Sequence, residues 1–287
     1  MTKHVLFTAL FLVPLPIENV ARAADDIDTE HMFGFTEGSD IGKKGDREFE
    51  LSTFGRLGKT SGRYSVFSTA TSGKFTILDD IRISPGISIL RHDIGGVPGI
   101  ADRNAFAFEG ASLEMKYRVL RRADAPFGLT IGAMPAWAHT DAATGARTRE
   151  FGTMVSALFD KELVADKVVG ALNFNYEASI SRVPGAIGWS RASAMGMSAG
   201  LTTRVAGSLF MGGEVRYARA MSGTFLNAFV SHSISIGPTL YYKPTEHSFI
   251  SAVWSRQVFG RGDQVPNRLD LTNFERNEVR LLYGAAF

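Results

Sequence analysis

The chain has 287 residues, with 31 Lys and Arg against 29 Asp and Glu, 30 Gly, 21 Phe and no cysteine. Without cysteine there can be no disulfide, thiol nucleophile or thiolate metal site, and a formal net charge of +2 with no basic cluster argues against a nucleic-acid partner. A mean hydropathy of +0.01 describes a chain that is amphipathic throughout.

Met1 to Ala23 carry Lys3 and His4, then an apolar run from Val5 to Leu15, then Ala21-Arg22-Ala23. This is the pattern of a secretory signal peptide cleaved near Ala23. The run contains Pro14 and falls far short of the roughly 20 residues of a spanning helix. Losing Lys3, Arg22 and Glu18 leaves 29 basic and 28 acidic residues. Residues 24–45 then form an acidic N-terminal segment, with Asp25, Asp26, Asp28, Glu30, Glu37 and Asp40 around Phe33 and Phe35. It is expected either to lie in the periplasm or to insert into a lumen.

From residue 46 onward the dominant signal is period-2 alternation. In chain order it predicts strands at Glu48 to Arg56, Arg63 to Ile77, Ile81 to Arg91, Ala111 to Val119, Phe127 to Ala138 and Glu150 to Phe159. It continues with Val168 to Tyr176, Arg191 to Thr203, Leu209 to Tyr217, Phe225 to Tyr242, Ile250 to Val258 and Asn277 to Phe287. The clearest is Ala111, Leu113, Met115, Tyr117 and Val119 against Ser112, Glu114, Lys116 and Arg118. These segments approach the 9 to 11 residues that cross a bilayer, whereas strands of soluble domains average about five or six. Short turns at Leu78 to Asp80, Arg121 to Pro126, Asp160 to Asp166, Arg204 to Gly207 and Lys243 to His247 alternate with longer connections such as His92 to Ala105, His139 to Arg149, Ala178 to Ser190 and Phe259 to Thr272. An even strand number and this asymmetry place both termini on the periplasmic side. The expected fold is an all-β, antiparallel up-and-down transmembrane barrel of about twelve strands over residues 46–287. Strands must close on themselves to satisfy their backbone in lipid.

The terminal strand, Val279-Arg280-Leu281-Leu282-Tyr283-Gly284-Ala285-Ala286-Phe287, resembles the closing strand of Gram-negative outer-membrane β-barrels. There a terminal Phe after apolar residues at every second position is recognised by the barrel-assembly machinery. Residues His31 to Gly42 and Leu269 to Arg276 are similar to segments of uncharacterised proteobacterial outer-membrane proteins and, more loosely, of transporters associated with aromatic-compound degradation. The resemblance implies an outer-membrane location, with membrane lipid, the assembly machinery and small solutes as partners.

Inward-facing polar residues are what such a barrel can use. The alternation assigns to the lumen Glu48, Glu50, Glu114, Lys116, Arg118, Asn173, Asn175, Glu177, Glu214, Arg216, Arg276, Glu278 and Arg280. One reading is a structural network of opposite charges, and another is a permeation path with little preference for either ion sign. Catalysis has a specific test, because twelve-strand outer-membrane phospholipases carry His-x-Ser on a strand. None of His31, His92, His139, His232 and His247 has that spacing. His232 and Ser233 fall on opposite faces of a strand. His92-Asp93, His139-Thr140-Asp141 and the leader aspartates put ligand-type side chains on loops, without a calcium-loop spacing. Arg261-Gly262-Asp263 is a tripeptide expected by chance in a glycine-rich loop. No catalytic, metal or cofactor site is expected. The leading expectation is a channel or transporter passing small hydrophilic or amphipathic solutes. A non-conducting structural or surface-interaction barrel is the alternative, followed by a hydrolase and then a soluble secreted β-protein.

Overall fold

A computed structural model describes residues 27–262 and 268–287, so the signal-peptide expectation and Asp263 lie outside the described residues. Twelve antiparallel strands form one closed barrel, each paired with its sequence neighbours and β1 with β12. They are β1 (Arg47–Leu57), β2 (Arg63–Leu78), β3 (Ile81–Gly95), β4 (Arg103–Leu120), β5 (Gly128–Thr140), β6 (Arg147–Val164), β7 (Val168–Arg182), β8 (Ser190–Ala206), β9 (Leu209–Ser222), β10 (Ala228–Thr245), β11 (Ser248–Gly262) and β12 (Asn277–Ala286). The seam runs from Glu48 opposite Ala286 to Leu57 opposite Asn277.

Alternation decides which side chains meet lipid. On β4, Leu113, Met115, Tyr117 and Val119 are exposed on the outer surface, whereas Lys116 between them is buried inside. On β7, Leu172 and Phe174 point out while Asn173 is buried. Leu201, Val215, Ile236, Trp254 and Leu281 continue the apolar belt around the barrel. A contiguous apolar surface of this extent is anomalous in water and is what hydrocarbon requires. Among the described residues no helix is long and apolar enough to cross a membrane.

All twelve expected strands are present, yet several extend beyond the alternation at the end away from the termini. β4 begins at Arg103 rather than Ala111 because its pairing with β3 shifts between Ser88 and Ile89, leaving Glu109 as an extra residue. The outward set is therefore Phe106 and Phe108 before this bulge and Ala111, Leu113 and Met115 after it, so the period changes phase. A second shift, between Ile234 and Ser235, carries β11 past Val258 to Gly262. β10 starts at Ala228 instead of Phe225 because Leu226 adopts φ +50° in the preceding turn. The outer connections shorten accordingly: His92 and Asp93 lie on β3 and His139 on β5, not on loops.

Candidate functional site: a lumen closed by the N-terminal segment

The lumen is filled on the periplasmic side by residues 27–46, which enter beside the barrel mouth, turn near Phe33 to Phe35 and return to β1. Apolar contacts seat the turn. Met32 and Phe33 are buried with Val169, Phe210, Tyr241, Phe249 and Leu282. Gly200 on β8 makes room for the Phe33 ring, since a Cβ there would sit 2.5 Å from its Cδ1. Gly34 takes φ +116° against Val253, a conformation and a proximity that side chains resist.

Polar contacts then tie the segment to the wall. The Arg82 guanidinium grips both Glu30 oxygens, and Lys74 and Lys116 each place Nζ 3.2 Å from the same carboxylate. His31 stacks on Phe249 at 4.5 Å and meets Lys74 Nζ at 2.8 Å. Glu37 receives Lys116 at 2.8 Å, while its backbone exchanges two 2.7 Å hydrogen bonds with the Asn173 amide. Glu214 accepts the Phe35 and Thr36 amides at 3.1 and 2.9 Å. Arg216 lies 3.9 Å over the Phe35 ring, and Arg280 donates to the Gly34 carbonyl at 2.9 Å. Nearer the mouth, Asp160 accepts the Ser39 amide at 3.0 Å and the Thr29 hydroxyl. Arg122 bridges Asp160 at 2.9 Å and Asp40 at 3.1 Å.

Burial alone would push the segment's acids up in pKa. At Glu30 the opposing charges of Arg82, Lys74, His31 and Lys116 outweigh burial and hold the carboxyl well below its ordinary range. Glu37 is drawn down to about 2 by Lys116 and Arg280 despite its burial. Asp28 has weaker compensation, and burial raises it.

Two cavities flank the ionic cluster. A 720 Å³ vestibule opens at the periplasmic mouth beside Asp46, Arg47, His247 and Phe287. A 290 Å³ cavity lies deeper in the lumen between Ser52, Ser72, Ser88, Ser112, Met134 and Met154. Glu30 and Lys74 border both, so the cluster is the partition between them. His31, Glu48 and Glu50 place ligand-type atoms within 4.8 Å of one another. Lys74 Nζ, 2.8 Å from both His31 Nε2 and Glu50, already supplies the positive charge a metal would bring.

Of the lumen residues expected from the alternation, Glu48, Glu50, Glu114 and Lys116 join the Glu30 cluster, with Glu48 3.5 Å from Lys74 and Glu114 3.5 Å from Lys116. Asn173, Glu214, Arg216 and Arg280 hold the segment directly, and Glu278 pairs with Arg216 at 2.6 Å. Asn175 and Glu177 share the inward face of β7 with Asn173, farther toward the outer end. Arg118 sits at the periplasmic rim, 3.2 Å from Asp80. Arg276 precedes β12, and its amide donates to the Gly58 carbonyl. The alternation does not assign Lys74, Arg82, Arg122 and Asp160 to the site. Lys74 and Arg82 occupy inward positions of β2 and β3 and are readable by the same parity. Arg122 and Asp160 fall in segments whose sequence reads as turns.

A closed twelve-strand barrel with an apolar outer belt and a charged, partly plugged interior defines a β-barrel of the bacterial outer membrane. The same architecture occurs in an outer-membrane channel from Pseudomonas putida F1, at TM-score 0.55 and 9% identity over 95% of this chain and 100% of that one. It occurs also in the NanC porin, at TM-score 0.50 and 9% identity over 83% of this chain and 98% of the porin. Residues 25–287 match the model of a family of unknown function, DUF6662, and the chain belongs to that family. No curated protein matches the chain by sequence.

Proposed function

We propose that the protein is a diffusion channel for small hydrophilic or amphipathic solutes, held closed by residues 27–46. The observation that carries this reading is the partition itself: two cavities lie on either side of a cluster built from a separate chain segment, not from the wall alone. Displacing that segment joins them without breaking a single strand pairing. The fold is shared with barrels described as a channel and a porin, which supports the reading at the level of architecture. Catalysis has no part in it. His232 faces outward among Tyr217, Phe229 and Phe259, while Ser233 is buried on the other face. At the seam, the Phe287 amide donates to the Arg47 carbonyl at 3.1 Å and its ring remains exposed. That ring is available to the assembly machinery as the terminal recognition element.

The test is single-channel recording of the refolded mature chain in a planar bilayer, beside a form lacking residues 27–41 and a Glu114→Gln, Arg118→Gln variant. Larger and more frequent steps after deletion, altered by the double substitution, are expected. A folded barrel silent in both full-length and deleted forms would transfer the reading to a structural or surface-interaction role, which the buried ionic network also suits.

A further inference from the structure

Above the apolar belt, at the end of the barrel away from the termini, the outward face of β6 to β8 carries arginines that the protein does not neutralise. Arg149 on β6 is directly opposite Arg182 on β7, and Arg191 on β8 is opposite Ile180, one outward position below Arg182. Like charges directly opposed across strands destabilise a sheet. Among the described residues no acid pairs with any of the three. The Arg182 guanidinium instead lies 5.3 Å over the Trp189 ring, and Trp189 packs 6.3 Å from Phe151 on the same face.

Strands β2 to β4, at the same end of the barrel, handle the same problem differently. There the outward Arg63 is paired at 2.9 Å with the outward Asp93, and Arg91 binds the Asn104 side chain at 2.7 Å. The β6 to β8 face thus presents a cationic triangle with apolar and aromatic side chains set between and beneath its corners. Three guanidinium forks match phosphate oxygens bidentately, and Phe151, Ile180 and Trp189 offer contact to acyl chains at the membrane boundary.

We propose that this face is a docking site for the phosphorylated saccharide lipid of the outer leaflet, with the lipid phosphate lying between Arg149, Arg182 and Arg191. The bound anion removes the repulsion between the two opposed arginines. The lipid chains then run down the apolar belt beside Phe151 and Ile180. This assignment is independent of whether the lumen conducts.

Native mass spectrometry of the full barrel, released from detergent in the presence of hexa-acyl diphosphoryl lipid A, tests it. Wild-type protein is expected to retain the diphosphoryl lipid about tenfold more strongly than its dephosphorylated form or phosphatidylglycerol. The variant Arg149→Gln, Arg182→Gln, Arg191→Gln loses that advantage, about 1.4 kcal/mol by the tenfold rule. Arg63→Gln, on the self-neutralised side, retains the lipid like wild type. Heat-modifiable migration on gels confirms that each variant is folded, and single Arg149→Gln and Arg182→Gln variants replace the triple one if it fails to fold. Equal retention by wild type and folded variants, or equal retention of phosphatidylglycerol and the diphosphoryl lipid, would overturn the proposal.

Discussion

Replacing Glu30 with Gln tests the closure most directly. Among the described residues, Glu30 is the one carboxylate of the N-terminal segment shared by three buried cations, Arg82, Lys74 and Lys116. A neutral amide of the same shape keeps the volume and removes the charge. Breaking a buried pair while leaving its partner uncompensated costs about 3–5 kcal/mol. Here Glu50 remains 2.8 Å from Lys74 and Glu114 remains 3.5 Å from Lys116, so the lower end, about 3 kcal/mol, applies. The cost falls on the plugged state, because withdrawing the segment admits water to the same cations. At about 1.4 kcal/mol per decade, the balance between plugged and unplugged barrel shifts about a hundredfold. Open probability in planar bilayers and cleavage of residues 27–41 by an added protease should both rise, with Glu246→Gln in a periplasmic turn as the silent control. A Glu30→Gln barrel that is folded, equally protected from protease and equally closed would refute the reasoning. Combining Glu30→Gln with Arg82→Gln should cost less than the two singly, since the second change removes a charge the first has orphaned.

Gly200→Val drives a side chain into the Phe33 ring, which is fully buried and has no free volume to enter. Overpacking of about 1–3 kcal/mol should expel the segment and raise conductance while leaving heat-modifiability intact. Gly237→Ala on β10 aims its Cβ at the Trp254 backbone carbonyl on β11, so the wall itself must shift. The expected result is a lower refolding yield and a lower melting temperature by circular dichroism. Acid should loosen the closure. Glu37 has a pKa of about 2 in the plugged state against an ordinary 4.5, so its contribution is complete above about 4.5 and is lost as pH falls through about 2. Glu30, also depressed, acts in the same direction, and Asp28, raised by burial, partly opposes them. Recordings stepped from pH 6 to pH 3 should show rising open probability, and a channel that closes further on acidification would contradict this.

How far the sequence discloses the molecule depends on which physical rule is operating. Period-2 alternation locates all twelve strands because one face meets lipid and the other a polar interior, and every outward Leu, Met or Tyr of β4 obeys it. It fails at Glu109 and Val258, where an extra residue changes the phase while the pairing continues. It fails also where outward residues are arginines, as at Arg149 and Arg182, since a charge on the outer face ends an apolar pattern without ending a strand. The same parity places Glu50, Glu114, Lys116 and Arg280 inward, but it carries no information on what they touch. The partner is the segment before β1, which reaches Glu50 through His31, 19 positions away, and Arg280 through Gly34, 246 positions away, and its acidic composition fits an exposed lead as well as a plug. Only the closed geometry brings Glu30 to Arg82 and Glu37 to Lys116.

The composition of that contact also fixes what an emptied lumen should select. The wall cations holding the segment are Lys74, Arg82, Lys116, Arg122, Arg216 and Arg280. Within 4 Å of those cations the wall also supplies Glu48, Glu50, Glu114, Asp160, Glu162 and Glu278. Removing residues 27–41 therefore takes away Asp28, Glu30, Glu37 and Asp40 but leaves wall charges already in balance. Lys74 falls back on Glu50, Lys116 on Glu114, and Arg122 on Asp160. A charged ring selects ions through its net field, and this ring has almost none. In a potassium chloride gradient the deleted barrel should show a reversal potential near zero, even though its conductance is higher. Glu50→Gln together with Glu114→Gln then moves the potential toward anions, because two acids leave a ring that was neutral. A strongly selective deleted barrel would mean that charges outside this ring, toward the outer loops, set the field instead.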